Sequence, residues 1–547
     1  MTRAETGTAE RERVIVVGAG LGGLATAIQA AVRGHPVTVL EKGERVGGAA
    51  AYSGGQVWVA DNHLQRAAGI EDSVEAAERY VRSGSAERPE FLDEDAMRQW
   101  LAAAPMVAEH YEKLGAVRWS TIAGYPDYGY PERPGSVADG RYLTAVFDAD
   151  RLGEWRDRLL LSPHFPIGST YQEVLAGHIA TAFGSTAEGS TETNRLLTFG
   201  PGVVGGFLAR AVAEPGVEIL TSHAADDLLV VDGEVVGAVV APAGGEPFEL
   251  RGRVVLAAGG IDWDPVLVKE YLDLGSGEVG SCAPTTITGD ALRLAQRAGG
   301  AVTVVPPGYA PMPPGYPSAR EPGFAFWHEH SLPHTFIVDA HGQRFCDDSL
   351  YFDIVRRALD PDEPRMPCYA IWDDQHRQRY GTFGGATDGH PPDGQYPAGV
   401  VTSAGSLPAL ADRLGIDRDG LARTAARFNA DAADGVDTEY DRGGTVWART
   451  FASDPSHQPN PNFGAVDTPP FHGMPIRFMQ VSVQMTGITV DSGGRVLDGT
   501  GAVVDGLYAV GSCAAFGTSG VGLNSGYALS RAMTLGYLAA QDIAATG

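Results

Sequence analysis

The chain has little of what marks a secreted, nucleic-acid-binding or membrane-spanning protein. Its four cysteines, Cys282, Cys346, Cys368 and Cys513, stand far apart. Without a CxxC or CxxCH spacing they exclude a zinc knuckle, a redox dithiol and covalent c-type haem, and they fit a reducing cytoplasm. Basic residues are few, 41 Lys and Arg against 68 Asp and Glu for a net charge of −27. With no lysine-rich or arginine-rich run, a nucleic acid or an anionic membrane is not the expected partner. No apolar run approaches the ~18 residues of a membrane span. The opening MTRAETGTAERER mixes both charges and lacks the apolar core of a signal peptide. Repeats of fixed period are absent too. The chain therefore reads as a soluble cytoplasmic protein without a metal, suited to neutral or oily small molecules.

What is present in quantity is glycine, 72 residues in 547, and it gathers in loops beside short apolar runs. In VIVVGAGLGGLATAIQAAVRGHPVTVLEK, residues 14–17 form a run apolar on both faces, as a fully covered strand requires. Gly18, Gly20 and Gly23 follow in the spacing G-x-G-x-x-G, then an alanine-rich helix pattern and a second strand ending on Glu41. The first glycine permits a tight turn, the second lets backbone approach a pyrophosphate, and the third lets helix meet strand; Glu41 is placed to hold a ribose hydroxyl. In its strand–helix–strand–acid setting the motif predicts a dinucleotide site. Lys42 and the glycine-rich stretch with Gly48, Ala49, Ser53, Gly54 and Gly55 carry the backbone-lined surface past the pyrophosphate, as the longer FAD requires.

Further pieces lie downstream. VEILTSHAADDLLVVDGEVVGAVV reads as a strand followed by a hairpin about Asp232-Gly233, with Ala224 near the cofactor, and GRVVLAAGG ends a strand at Ala258 and Gly259. GLYAVGS is one more buried strand, delivering Gly511 and Ser512. The loop GTSGVGLNSGYALSRAMTLGYLAAQD then opens a helix near Gly526, with Ser525, Ala528 and Leu529 at its start. Its N–H groups and positive dipole end suit the flavin edge that gains charge on reduction. These segments resemble the FAD-binding fold shared by glutathione reductase-type and fumarate reductase-type flavoproteins. That resemblance implies an α/β fold: a Rossmann-like FAD-binding domain from residues 1–117, 200–283 and 465–547, non-covalent FAD, and an inserted α+β substrate domain from 118–199 and 284–464.

Within that group GGAAAYSGGQVWVADNHLQRAAGIEDSVEAAERYV, LAAGGIDWD, IVDAHGQRF and GLYAVGS…AMTLGYLAA resemble the 3-ketosteroid Δ1-dehydrogenases. The family removes two hydrogens beside a ketone, a hydride to the flavin and a proton to a tyrosine. Such chemistry needs a base, donors for the carbonyl oxygen and an apolar floor. The resemblance implies Tyr351 as the catalytic tyrosine, one residue earlier than the pattern expects, and Tyr128, in GYPDYGYP, as its supporting phenol, with Tyr125 and Tyr130 as neighbours able to substitute. A hydrophobic ketone and an external electron acceptor are the implied partners.

The departures shape the expectation. The family carries a tyrosine four residues before the ketone-binding glycine; here those positions are Gly522 and Gly526. Half of the oxyanion hole is missing unless Tyr527 or Asn524 supplies it, so another carbocyclic or polyketide-like ketone competes with a planar steroid as substrate. A fumarate reductase-like ene-reductase is the alternative, but its histidine–threonine pair is replaced by Ser482, Val483 and Gln484. Its acid would have to be Arg356 or Arg357, and His328, His330 and His334 in WHEHSLPH are the histidines expected to be able to rebuild an acid/base pair. A non-catalytic FAD-fold binding protein is a third reading. Pro306–Pro317 reads equally as a stiff connector or a pocket wall. A capped helix is expected from Thr288, and two more within LPALADRLGIDRDGLARTAARFNADA.

Overall fold

The computed structural model describes residues 11–165, 168–176, 195–275, 277–317, 322–380, 399–483 and 485–546. Val14–Val17 (β1) is buried throughout, as its unbroken apolar run requires, inside a six-stranded sheet. The other strands are β2 (Val37–Glu41), β3 (Val217–Thr221), β4 (Arg253–Leu256), β5 (Arg495–Leu497) and β6 (Val503–Ala509), in the order β5-β6-β4-β1-β2-β3. All neighbours are parallel except the edge strand β5, antiparallel to β6. The C-terminal ends of β1, β2, β4 and β6 therefore open on the same side, where ligands of such sheets bind.

Five helices serve the site: α1 (Leu21–Val32), α2 (Gly48–Tyr52), α3 (Phe199–Val212), α4 (Tyr351–Ala358) and α5 (Tyr527–Thr546). Helix α1 meets α5 backbone to backbone. A Cβ on Gly536 would lie 2.7 Å from the Gly22 carbonyl oxygen, so only glycine keeps that approach. The first turn of the chain is equally tight. Gly18 holds φ at +111°, where a Cβ would lie 2.5 Å from the Ala257 carbonyl oxygen, and a Cβ on Gly23 would collide with the Gly18 carbonyl oxygen. The first and third glycines of the motif thus serve packing.

The expected hairpin turns at Asp232 (φ +50°) and Gly233 (φ +90°), joining strands 223–231 and 234–242 of a three-stranded meander. A four-stranded antiparallel sheet takes strands 335–339, 368–372, 471–475 and 402–404, the third of these from the C-terminal part of the chain. Another four-stranded sheet joins 279–281, 477–480, 314–317 and 324–326. The proline-rich stretch is therefore partly a strand, and Pro311 and Pro313 face a cavity.

Helices at 407–414 and 418–434 begin on the side-chain caps of Ser406 and Asp417. The helix expected from Thr288 starts at Asp290, and its N-cap is Gly289 without a side-chain cap, because the Thr288 hydroxyl is turned to the Asp290 carboxylate. Among the described residues no helix is long and apolar enough to cross a membrane.

Candidate active site

A cavity of about 370 Å³ runs from the C-terminal ends of β1 and β2 to the segment that begins α4. Of the cofactor residues expected from the sequence, Gly18, Gly20, Glu41, Lys42, Gly48, Ala49, Ser53, Gly54, Gly55, Ala224, Ala258, Gly259, Gly511, Ser512, Ser525, Gly526, Ala528 and Leu529 all line it. Gly23 does not; it sits beneath, between α1 and the turn. The open position is Gly20, where the nearest atom to an added Cβ is the Gly47 carbonyl oxygen at 3.9 Å. Gly20 is the N-cap of α1, with no side-chain cap and no acid in the first turn, so bare N–H groups border the cavity. A glycine-lined cradle at an uncapped helix start fits the pyrophosphate of FAD.

Glu41 is committed to its own backbone, one carboxylate oxygen receiving the Ala19 N–H (3.0 Å) and the other the Gly43 N–H (2.8 Å). Burial pushes its carboxyl up against those two hydrogen bonds. Lys42 pairs with Asp290 at 2.6 Å. Ser53 donates to the Ala50 carbonyl and receives the Gly55 N–H, holding the turn that brings Gly55 (φ +68°) onto the start of α3.

At the other end of the cavity stand Tyr128 and Tyr351, 223 positions apart in the sequence (351 − 128). Their rings meet edge to face, centroids 6.4 Å apart, and their hydroxyls are hydrogen-bonding neighbours. Burial pushes both phenols up. Hydrogen bonds from Tyr351 and from Ser525 work the other way on Tyr128. Both line the cavity; Tyr128 is buried and Tyr351 half-buried, so Tyr351 is the more exposed residue of the two. Trp447 packs against Tyr128 at 4.5 Å, and Gln56 donates to the Tyr125 hydroxyl at 3.3 Å.

Each phenol hangs on a buried charge cluster. Asp127, the residue before Tyr128, receives the Trp58 indole N–H (2.8 Å), the Val137 N–H (3.0 Å) and the Arg141 guanidinium (2.7 Å); Arg141 also forks onto Asp72 at 2.6 and 2.8 Å. Burial alone would raise the Asp72 carboxyl, but Arg141 holds it below its usual value. On the other side Asp348, three residues before Tyr351, pairs with Arg442 and with Arg344 (3.3 Å), and Arg344 forks onto Asp437 at 2.7 and 3.0 Å. Paired charges of this kind define a position, because neither partner can leave without stranding the other.

The C-terminal loop answers the question of the missing phenol. Gly522 lines the cavity, yet a Cβ there would point at helix 74–84, 3.1 Å from the carbonyl carbon of Gly84 and 3.2 Å from the Ser519 carbonyl oxygen. Asn524 is not a spare donor: its amide nitrogen donates to the Tyr142 hydroxyl (2.8 Å) and its oxygen receives the Tyr80 hydroxyl (2.8 Å) and the Tyr128 N–H (3.2 Å). Tyr527 lines the cavity, but its ring stands edge-on to Trp58 (4.9 Å) and Trp100 (5.2 Å), with Tyr80, Asp127, Arg133 and Arg141 around its hydroxyl. The residue of this loop that reaches the phenol pair is Ser525. Gly526 (φ +81°) gives its carbonyl to Trp58 and Ser530, while its N–H has no protein acceptor among the described residues.

Of the rival acid/base groups among the described residues, His330 lines the cavity and Arg356, Arg357 and His334 do not. Arg356 pairs with Glu87 and Arg357 with Asp353. Gln484 lies outside the described residues, as does the side chain of His328. His334 is held by the Ala465 carbonyl away from the cavity, which His330 does line. Trp447 and Tyr171 carried no signal strong enough to single them out, since their place in the wall depends on segments brought together only by the fold, whereas His330 was expected only as a candidate acid/base group.

The profile of the family described as FAD binding domain matches residues 13–529. The chain is 31% identical to the 4-oxocyclohexanecarboxylate 2-dehydrogenase of Sinomonas cyclohexanicum over 97% of its own length and 92% of that protein's. It is 30% identical to a 3-oxosteroid 1-dehydrogenase of Mycobacterium tuberculosis over 98% of its own length and 99% of that protein's. Among solved structures it is similar to the 3-ketosteroid delta1-dehydrogenase from Sterolibacterium denitrificans in complex with 1,4-androstadiene-3,17-dione. The TM-score is 0.86 at 26% identity, covering 98% of this chain and 100% of that one.

Proposed function

The chain belongs to the FAD binding domain family, and from that premise we propose that it is an FAD-dependent dehydrogenase introducing a C=C bond α,β to the carbonyl of a cyclic, steroid-like or polyketide-like ketone. The observation that carries this reading is the Tyr128–Tyr351 pair, two phenols in hydrogen-bonding reach of each other at the wall of a cavity that Gly526 also lines. FAD, held by the glycine cradle, supplies the acceptor for the hydride lost from the β carbon.

The α proton is the protein's task. A lone phenol is a poor base near neutrality, with an ordinary pKa of about 10. Two phenols in contact share the burden. Once the pair has lost one proton, the remaining one lies between the two oxygens, and the hydrogen bond from Ser525 helps Tyr128 carry the charge. Tyr351, the more exposed of the two, takes the α proton, which restores both phenols. As that C–H bond breaks, negative charge grows on the carbonyl oxygen, and the Gly526 N–H is the donor we assign to it. A Cβ at position 522 would point at helix 74–84 and Asn524 is spent on Tyr80 and Tyr142, so with the Gly526 N–H as the assigned donor a ketone with an already acidified α C–H, such as a β-dicarbonyl, suits this site better than an unactivated one. Turnover would also require an external electron acceptor.

The experiment is anaerobic mixing of the holoenzyme with cyclohexanones, cyclic β-dicarbonyls and 3-ketosteroids, followed at the flavin absorbance band. The expected result is bleaching by at least one class with formation of the enone. Failure of every ketone on a flavin that dithionite still bleaches would overturn the reading.

A further inference from the structure

His330 stands in the wall of the same cavity, on the short helix 328–331, and is 4% exposed. Its Nδ1 lies 2.7 Å from the Asp348 carbonyl oxygen. A carbonyl only accepts, so Nδ1 carries the proton. Burial and the neighbouring positive charge of Arg442 push the imidazole down to about 4 against the opposing pull of the Asp348 carbonyl, which keeps the ring neutral through the physiological range. A neutral ring protonated at Nδ1 has a lone pair at Nε2. That atom has no protein partner among the described residues, and it is not sealed in the core.

The ring is packed and its backbone is held. Its edge meets Trp327, centroids 6.0 Å apart, and its own carbonyl receives the Arg442 guanidinium at 2.9 Å. The backbone that receives Nδ1–H is that of Asp348, the residue whose carboxylate anchors the segment leading to Tyr351. The same cavity is lined by Pro311, Pro313, Phe326 and Leu332 as well as by the polar neighbours of His330 in sequence, Glu329 and Ser331. A nearly buried acceptor discriminates between ligands, because one without a donor leaves it stripped of water and unpaired.

We propose that His330 determines specificity: its Nε2 receives a hydrogen bond from a hydroxyl or enol O–H that the cyclic ketone carries in addition to its reacting carbonyl. The proposal rests on the ketone-desaturation reading and names a feature of the substrate that the phenol pair does not require.

The test is a set of matched binding titrations on the holoenzyme, read as perturbation of the oxidised flavin spectrum. The probes are 2-, 3- and 4-hydroxycyclohexanone, each against the methylcyclohexanone of the same substitution. Wild type should bind at least one hydroxyketone about tenfold more tightly than its methyl partner, the scale of one buried hydrogen bond. His330→Asn keeps a donor near the Nδ1 position and removes the acceptor; it should retain fold and flavin and lose the preference. His330→Gln keeps an acceptor near the Nε2 position and should retain most of it. A wild type indifferent to every hydroxyl, or an Asn variant that keeps the preference, would overturn the proposal. Flavin reduction in the same samples separates the two ideas: bleaching without preference sinks only the role of His330, and preference without bleaching by any ketone sinks only the desaturation.

Discussion

A phenol abstracts a proton from carbon only if something else shares its charge, and at the scale of single residues this is what the contact of Tyr128 with Tyr351 provides. Removing the Tyr351 hydroxyl deletes the group that meets the substrate while leaving the ring packed beside Phe352 and Tyr128. Tyr351→Phe should therefore keep flavin and ligand binding and slow flavin reduction by ~10²-fold or more, the scale of a lost general base. Stopped-flow reduction at the wild-type rate would move the base elsewhere. Gly526 is restricted for a different reason, since at φ +81° a Cβ would lie 2.7 Å from the Trp58 nitrogen. Its N–H, without a protein acceptor among the described residues, belongs to a residue that lines the same cavity as the phenols.

At the scale of elements, the three glycines after β1 do unequal work, and the difference can be measured. The Cβ space at Gly23 is filled by the Gly18 carbonyl, whereas at Gly20 nothing approaches within 3.9 Å. Gly23→Val should prevent β1 and α1 from closing and yield little folded protein. Gly20→Val should fold with a wild-type far-UV circular dichroism spectrum and lose its flavin, because its side chain enters only the space reserved for the pyrophosphate. Stoichiometric flavin in a folded Gly20→Val protein would refute the cradle. The same logic of close approach explains the start of α3 under Gly55 and the α1–α5 contact through Gly22 and Gly536.

At the scale of the whole molecule, buried ion clusters tie distant stretches of chain to the two phenols. Arg442 binds Asp348 as well as the carbonyls of His330 and Leu332, and Arg344 joins that group to Asp437. Burial alone would raise the Asp437 carboxyl, but hydrogen bonding and charge from Arg344 bring it down to about 2. A folded value below the ordinary one near 4 means that this contribution is complete above pH ~4 and fades as the pH falls toward 2. The difference corresponds to about 2 kcal/mol. Asp437→Asn should lower the thermal midpoint at pH 7 and flatten its fall between pH 4 and 2. An unchanged acid limb would show that Asp437 is not coupled to folding.

What the sequence determined by itself is whatever depends on neighbours a few residues apart: the β1 run, the G-x-G-x-x-G turn, the Asp232-Gly233 hairpin and the helix after Gly526. Steric rules act over that range, and each of these elements is found where the spacing puts it. Tyr351 and Tyr128 could be named as partners from family resemblance, but the buried charge clusters beside them could not, because these join residues as far apart in the chain as His330 and Arg442. Tertiary structure alone decided that Asn524 is spent on Tyr80 and Tyr142, that Tyr527 faces Trp58 and Trp100, and that His330 turns one nitrogen inward to Asp348. A side chain's partner is a matter of three-dimensional distance, and a linear pattern holds that information only when both partners belong to the same turn, strand or helix.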